Sequence, residues 1–323
     1  MLIYTLIWKS GEYTDAVRLF MENIFTLQFT IFALIAVGCL SRKLNIITAD
    51  GQKSINNLVI YIVLPCSLFK SFMVEFSMET LISCLSIFLI AVGCQIVAPF
   101  YGRLMFGKTD PGKKKCLYYG TIVSNSGFIG NPVAEGVFGS IGLLYASFFL
   151  VPMRFAMWTE GIAIFTGISD KKAAFKKVAT HPCIIATLLG LICMVAQIPV
   201  PAPVIKVIGT IGNCNTALSM MVVGMILAQI DPKNLIDPVV IVYSLHRLIL
   251  MPLIVYIILL LLPLQLSHTV IGTAVLLMAM PAGATTSILA SKYDMEPEFA
   301  TKMVIFSTLL SIPSICIWSI ILH

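Results

Sequence analysis

Residues 124–132 read SNSGFIGNP, and residues 280–288 read MPAGATTSI. Each stretch lies inside a long apolar run and concentrates glycine, proline and small polar residues, which interrupt helices. An interrupted helix exposes backbone N–H and C=O groups that lipid cannot satisfy, so the interruption must line a polar cavity or be buried by protein. The two stretches therefore predict two broken transmembrane helices bordering one polar site.

The composition of the chain indicates a membrane protein. Of its 323 residues, 59% are hydrophobic and 11% are charged, against roughly 45–50% and about 25% in soluble domains. With a mean hydropathy of +0.98, a soluble fold would have more apolar surface than its interior could hide. Lipid accepts apolar side chains as readily as a protein core does, provided that the backbone is satisfied within helices. We therefore predict an all-α polytopic membrane protein.

Ten hydrophobic segments are each long enough to cross about 30 Å of hydrocarbon at about 1.5 Å per residue. The segments cover residues 23–40, 55–72, 80–105, 116–138, 141–168, 181–198, 204–229, 238–262, 269–291 and 299–322. Short loops join them, which indicates one membrane domain. Two sets of five spans, in residues 21–168 and 181–323, predict two repeats of inverted topology, because five is an odd number.

The two interrupted stretches occupy corresponding places in these repeats, in the fourth and ninth spans. Aligned in register, Asn125 corresponds to Pro281, and Gly127 corresponds to Gly283. Corresponding interruptions in two halves point to the central site of a transporter. The alternative is that glycine and proline only pack and kink these helices, as they commonly do in membranes.

The basic residues of the loops predict the orientation. Loops after odd-numbered spans are rich in lysine and arginine, whereas loops after even-numbered spans have only Lys70 and Lys206. The basic loops are therefore predicted to be cytoplasmic, which places both termini outside the cytoplasm, in a cell membrane. The net charge of +6 follows from this topology, so a nucleic-acid partner is not expected.

Residues 1–20 lack the basic start and the cleavage site of a signal peptide. They are either an interfacial helix or an extension from an upstream start, before a natural beginning at Met21. We favour the second interpretation and assign no function to this N-terminal extension.

The start of each second half-helix presents free N–H groups with partial positive charge, which suits an anion. Asn57 and Asn215 lie near the starts of spans two and seven, where their amides either face the same cavity or only cap and bridge helices. The candidate substrate-binding residues are Asn125, Ser126, Gly127, Gly130, Asn131, Pro132, Pro281, Gly283, Thr285, Thr286, Asn57 and Asn215.

Ionisable residues within spans are costly and are candidates for function. An arginine could balance the charge of a substrate carboxylate, and a glutamate could take up a proton. The candidates for coupling or charge balance are Glu135, Arg154, Glu160 and Arg247. The alternative for these residues is structural pairing or snorkelling to the interface.

Signatures of enzymes are absent from the sequence, which has no GxSxG, HExxH, P-loop or GxGxxG motif. The nine cysteines and four histidines have no metal-ligand spacing. We therefore predict no enzymatic activity, no bound metal and no cofactor.

From Met21 to His323 the chain resembles the auxin efflux carrier family, which also contains bacterial malate and malonate permeases. The resemblance rests on GCLSRK (38–43), Asn57 to Pro65, NSGFIGNP (125–132), NCNTALSMMVVGMIL (213–227), Arg247 to Pro252 and MPAGATTSILASKY (280–293). It implies ten spans in two inverted five-helix repeats, with spans four and nine crossing as broken helices at the substrate site. It also implies a scaffold, a moving transport domain, and organic anions as substrates. Bile-acid sodium symporters are similar in architecture but hold sodium with acidic and polar residues near the crossing. MPAGATTS has no carboxylate, although Asn125, Ser126, Thr285 and Thr286 could still offer oxygens.

The sequence therefore predicts a secondary transporter for a small carboxylate in a lipid bilayer, with or without homodimer formation. The substrate would be malate, malonate or an auxin-like monocarboxylate, moved by alternating access. Proton coupling, or movement down the substrate gradient, is favoured over sodium coupling. The alternatives are a sodium-coupled organic-anion symporter and, from another class, a membrane receptor that binds a ligand without transporting it.

Overall fold

The computed structural model describes Thr26 and residues 29–167, 171–228, 236–263 and 265–322. The predictions for residues 1–20 lie outside these described residues. Throughout the described ranges the secondary structure is helical, and no strand occurs apart from one isolated bridge between single residues. The prediction of an all-α protein is confirmed.

The described helices overlap the predicted hydrophobic segments but differ from them in bounds and continuity. They are α1 (29–43), α2 (Ala49–Ser71), α3 (Met78–Phe106), α4 (Pro111–Ile122), α5 (Asn131–Trp158), α6 (Glu160–Thr166), α7 (Lys171–Ala179), α8 (Pro182–Ala196), α9 (Ala202–Asn213), α10 (Asn215–Leu227), α11 (Pro238–Leu261), α12 (His268–Met278), α13 (Thr285–Lys292) and α14 (Pro297–Ile321). A π-helical turn, Ser126–Gly130, leads into α5.

Six helical stretches of the described chain are long and apolar enough to cross a membrane, which supports a multi-pass protein. The predicted count of ten spans stays a prediction, because several segments are not continuous long helices. The stretch Ser126–Thr166 is 41 residues long, about twice what a bilayer requires. It is divided at Gly139, whose φ of 66° and ψ of −159° are accessible essentially to glycine alone. The helices α8 and α12 have only 15 and 11 residues.

The outer surface of the described helices fits a lipid environment. Large apolar side chains are among the most exposed, including Phe29 at 74%, Leu104 at 79% and Leu261 at 78%. A surface of this kind would associate non-specifically in water, whereas lipid tails solvate it. The structure therefore supports the assignment to the membrane.

The helices pack in two groups. In the first group, α2 packs against α8, α9 and α10. In the second, α3 packs against α4 and α5, α12 packs against α5 and α11, and α14 packs against α11 and α13. The groups touch where α2 contacts α5 and where α10 contacts the π-helical turn Ser126–Gly130. Both interrupted stretches thus belong to the second group, at or near its boundary with the first.

Candidate functional site

The two interrupted stretches contact each other directly through their backbones. The gap between α4 and the π-helical turn covers residues 123–125, and the gap between α12 and α13 covers residues 279–284. The N–H of Asn125 donates to the carbonyl of Pro281 at 2.8 Å, and the N–H of Gly283 donates to the carbonyl of Val123 at 3.1 Å. These bonds flank an antiparallel bridge between Ser124 and Ala282. The structure therefore brings the two predicted halves of the site together.

Gly130 leaves little room for a side chain between the π-helical turn and the end of α12. A Cβ atom at Gly130 would lie 2.7 Å from Leu277 Cδ2 and 3.1 Å from Met280 Cγ. The first distance is shorter than van der Waals contact, so a side chain here would force the Leu277 side chain to shift. Nearby, the hydroxyl of Ser126 donates to the carbonyl of Leu277 at 3.1 Å, which links the π-helical turn to the end of α12.

Arg247 joins the ends of the two first half-helices. Its Nε donates to the carbonyl of Met280 at 2.9 Å, and its Nη1 donates to the carbonyl of Thr121 at 3.0 Å. The side chain is only 2% exposed. Carbonyls at a helix C-terminus lack intrahelical partners and carry partial negative charge, so one guanidinium satisfies both ends. Arg247 therefore has a structural role in this conformation. The sequence had left open either this role or charge balance of a substrate carboxylate.

Arg154 lies beside the π-helical turn Ser126–Gly130, where the second half of the broken fourth span begins. A Cβ atom at Gly127 would lie 4.0 Å from Arg154 Nη2, so the glycine leaves the guanidinium close to the π-helical turn. Arg154 Nη1 also lies 3.0 Å from Nδ1 and 2.7 Å from Nε2 of His181. His181 was not predicted as a site residue, because it precedes α8 and is 27 positions away in sequence.

Tyr119 is a second residue that sequence reasoning missed. Its hydroxyl donates to Thr285 Oγ1 at 2.9 Å, which connects α4 to the first residue of α13. Tyr119 is fully buried, whereas Thr285 is half-buried. The sequence feature that could have identified Tyr119 was its position within a predicted span, since a buried phenol needs a hydrogen-bond partner.

Several polar side chains of the predicted site are buried without a partner among the described residues. Both amide atoms of Asn131 lack a hydrogen bond, and so do Thr286 Oγ1 and the Asn215 nitrogen. Asn215 Oδ1 accepts from Ser219 Oγ at 3.1 Å. A buried polar group left unpaired costs about 1–3 kcal/mol. These groups therefore add unused hydrogen-bonding capacity to the region.

Other candidates lie apart from the paired backbones. Asn57 is exposed on α2, Glu160 is exposed at the start of α6, and Pro132 is buried in the first turn of α5. Glu135 is half-buried, and Lys70 is near enough to attract it electrostatically. No hydrogen bond in the described ranges links these four side chains to residues 123–125 or 279–284.

The donor set of the site does not resemble a metal centre. Across the described residues, no group of three or more His, Cys, Asp and Glu side chains is placed to hold a metal ion. Residues 123–134 and 279–291 contain no carboxylate at all. The site is therefore built from backbone N–H groups, hydroxyls, amides and an arginine.

The family model described as "Membrane transport protein" matches residues 23–319. The chain belongs to this family. The resemblance to auxin efflux carriers is thereby confirmed over most of the chain, and the protein is a membrane transport protein. An enzymatic role does not fit this family.

Three relatives cover nearly the whole chain. An uncharacterized transporter of Methanocaldococcus jannaschii is 27% identical over 90% of this chain and 96% of its own. An uncharacterized transporter of Methanothermobacter thermautotrophicus is 25% identical over 94% of this chain and 100% of its own. A protein of Rhizobium meliloti named "Putative malonate transporter" is 23% identical over 91% of this chain and 94% of its own.

Proposed function

We propose that this member of the membrane transport family is a secondary transporter for a small organic anion, such as malate, malonate or an auxin-like monocarboxylate. The observation that carries the proposal is the backbone pairing of residues 123–125 with residues 281–283. It brings the starts of two half-helices, at Ser126 and Thr285, to one place within the membrane domain. Such starts favour an anion.

The charges around the paired stretches support an anionic substrate. Arg247 binds the carbonyl ends of α4 and α12, so the partial negative charges there are already neutralised. Arg154 adds a full positive charge beside Gly127. Because residues 123–134 and 279–291 have no carboxylate to oppose these charges, a substrate carboxylate is the ligand that completes the site.

The substrate carboxylate would lie between the two half-helix starts, near the Asn125 amide and the Thr285 and Thr286 hydroxyls. No side-chain hydrogen bond of Asn125 occurs within the described residues, so its amide is free to bind the ligand. A relative bears the name of a malonate transporter, which favours dicarboxylates as the first substrates to test. The absence of a carboxylate also favours proton coupling or downhill movement over sodium coupling.

Transport would proceed by alternating access. The second helix group, which holds both interrupted stretches, would move against the first group of α2, α8, α9 and α10. The fold proposed for this mechanism has ten spans in two inverted repeats, with both termini outside the cytoplasm. Glu135 lies near this boundary, because Lys70 on α2 is close enough to attract it electrostatically, and it is the proposed proton acceptor.

The test is an uptake screen in proteoliposomes with labelled malonate, malate, succinate and acetate, with and without sodium. We expect saturable uptake of at least one carboxylate without sodium, and a strong reduction by Asn125→Ala. The matched control is Gln265→Ala, which removes an exposed amide before α12 and should leave uptake unchanged. Uptake that Asn125→Ala leaves unchanged for every transported carboxylate would overturn the site assignment. Uptake that requires sodium would favour the symporter instead.

A further inference from the structure

Tyr119 and Thr285 form a hydrogen-bonded pair of hydroxyls across the two interrupted spans. The phenol of Tyr119 donates to Thr285 Oγ1 at 2.9 Å. The ring is fixed by Phe165, with 5.5 Å between ring centroids, and by Gly161, where a Cβ would lie 2.7 Å from Tyr119 Cε2. Tyr119 is 0% exposed, so any effect of its hydroxyl on a ligand would have to pass through Thr285.

The direction of this bond determines what the Thr285 hydroxyl can do. A threonine hydroxyl has one proton to donate and two lone pairs that accept. Because Tyr119 already donates to the oxygen, the Thr285 proton must point elsewhere. Within the described residues, the bond from Tyr119 is the one side-chain hydrogen bond of Thr285. The Thr285 proton is therefore available to another acceptor.

We propose that Tyr119 is a positioning residue that orients the Thr285 hydroxyl as a donor toward the substrate carboxylate. The inference rests on the proposed function and deepens it. The Tyr119 hydroxyl would donate to the Thr285 hydroxyl, which would donate to the substrate carboxylate. Hydrogen bonds in such a chain polarise and strengthen one another. The bond from Tyr119 occupies one of the two lone pairs of Thr285 and leaves the hydroxyl proton for a carboxylate oxygen.

The test removes the phenol oxygen by Tyr119→Phe and measures malonate uptake in proteoliposomes. We expect the apparent KM to rise about three- to tenfold, because one hydrogen bond to the pair is lost. We expect the maximal rate to change less than twofold. The ring keeps its packing against Phe165, so the variant should melt in detergent close to the wild-type temperature.

Two further variants separate orientation from structure. Tyr243→Phe is the matched control, because Tyr243 is equally buried and donates to the Gly120 carbonyl at 2.7 Å, away from Thr285. Its KM should remain within twofold of wild type. Thr285→Val should raise the KM at least as much as Tyr119→Phe, and the double variant should match Thr285→Val alone. Thr285→Ser keeps the hydroxyl and should stay near wild type.

The outcomes distinguish this inference from the proposed function. A Tyr119→Phe protein with wild-type KM, or an effect that adds fully to that of Thr285→Val, would overturn the orienting role of Tyr119. The transport function would survive that result if wild-type uptake and its loss in Asn125→Ala remained. A wild-type protein that carries none of the four tested carboxylates would overturn the proposed function and this inference with it.

Discussion

Replacing Arg247 by methionine tests the structural account of the two broken helices. Methionine has a similar length and fits an apolar interior, but it cannot donate hydrogen bonds. The substitution removes the bonds from Nε to the Met280 carbonyl and from Nη1 to the Thr121 carbonyl, at 2.9 and 3.0 Å. Both carbonyls then lie inside the membrane domain without these donors.

The magnitude follows from the two lost bonds and the removed charge. A hydrogen bond from a charged donor contributes about 1.5–3 kcal/mol, so two such bonds contribute about 3–6 kcal/mol. Removing the buried guanidinium also removes its desolvation cost, which offsets part of this loss. We expect the free energy of unfolding to fall by about 2–4 kcal/mol. Arg247→Lys keeps the charge but cannot reach both carbonyls with a planar fork, so its loss should be intermediate.

The assay is thermal unfolding of purified protein in detergent, together with carboxylate uptake. Arg103→Met is the control, because it removes an exposed arginine near the end of α3 and should leave the melting temperature almost unchanged. The Arg247→Met protein should melt several degrees lower and lose uptake. A variant that melts within a degree of wild type with full uptake would refute the role of Arg247 in holding the two helix ends.

Three further predictions concern the backbone and the loops. Gly139→Ala should lower the free energy of unfolding by about 1–3 kcal/mol, measured by denaturant or thermal unfolding, because its backbone conformation is accessible essentially to glycine. Gly130→Val should reduce uptake and lower the melting temperature, because its side chain would overpack against Leu277 and Met280, whose side chains must shift. Partial burial raises the pKa of Asp237, but the hydrogen bond from Lys113 Nζ at 3.0 Å helps to outweigh this effect and holds the pKa below the usual aspartate value. A depressed folded-state pKa means stability that is present above the unfolded pKa of about 3.9 and is lost as the pH falls through the folded value. Asp237→Asn should therefore lower the melting temperature at neutral pH, and the difference from wild type should shrink below about pH 4.

The sequence predicted that the two broken helices meet, because the residues that interrupt each helix lie together in a short stretch of sequence. Interrupting residues in mid-membrane leave backbone groups that need partners, and Asn125 and Pro281 supply partners to each other. Side-chain orientation could not be predicted in the same way. Asn57 and Asn215 correspond in sequence, yet Asn57 is exposed and Asn215 is 1% exposed, because their neighbours differ.

The residues that sequence reasoning missed depend on packing between distant segments. The bond from Tyr119 to Thr285 spans 166 positions, and it requires a particular rotation of α4 against α13. The sequence likewise left open whether Arg247 would pair structurally or face the substrate. That choice depends on where two helix ends meet, which a single span does not encode.

Counterflow tests most directly the claim that the paired interruptions form the site of a carrier. Proteoliposomes are loaded with unlabelled malonate, diluted into a trace of labelled malonate, and sampled over time without sodium. The account predicts transient accumulation of label above equilibrium in wild type and its loss in Asn125→Ala. Specific binding of malonate without accumulation of label would contradict the account, because a receptor binds a ligand but does not exchange it across the membrane.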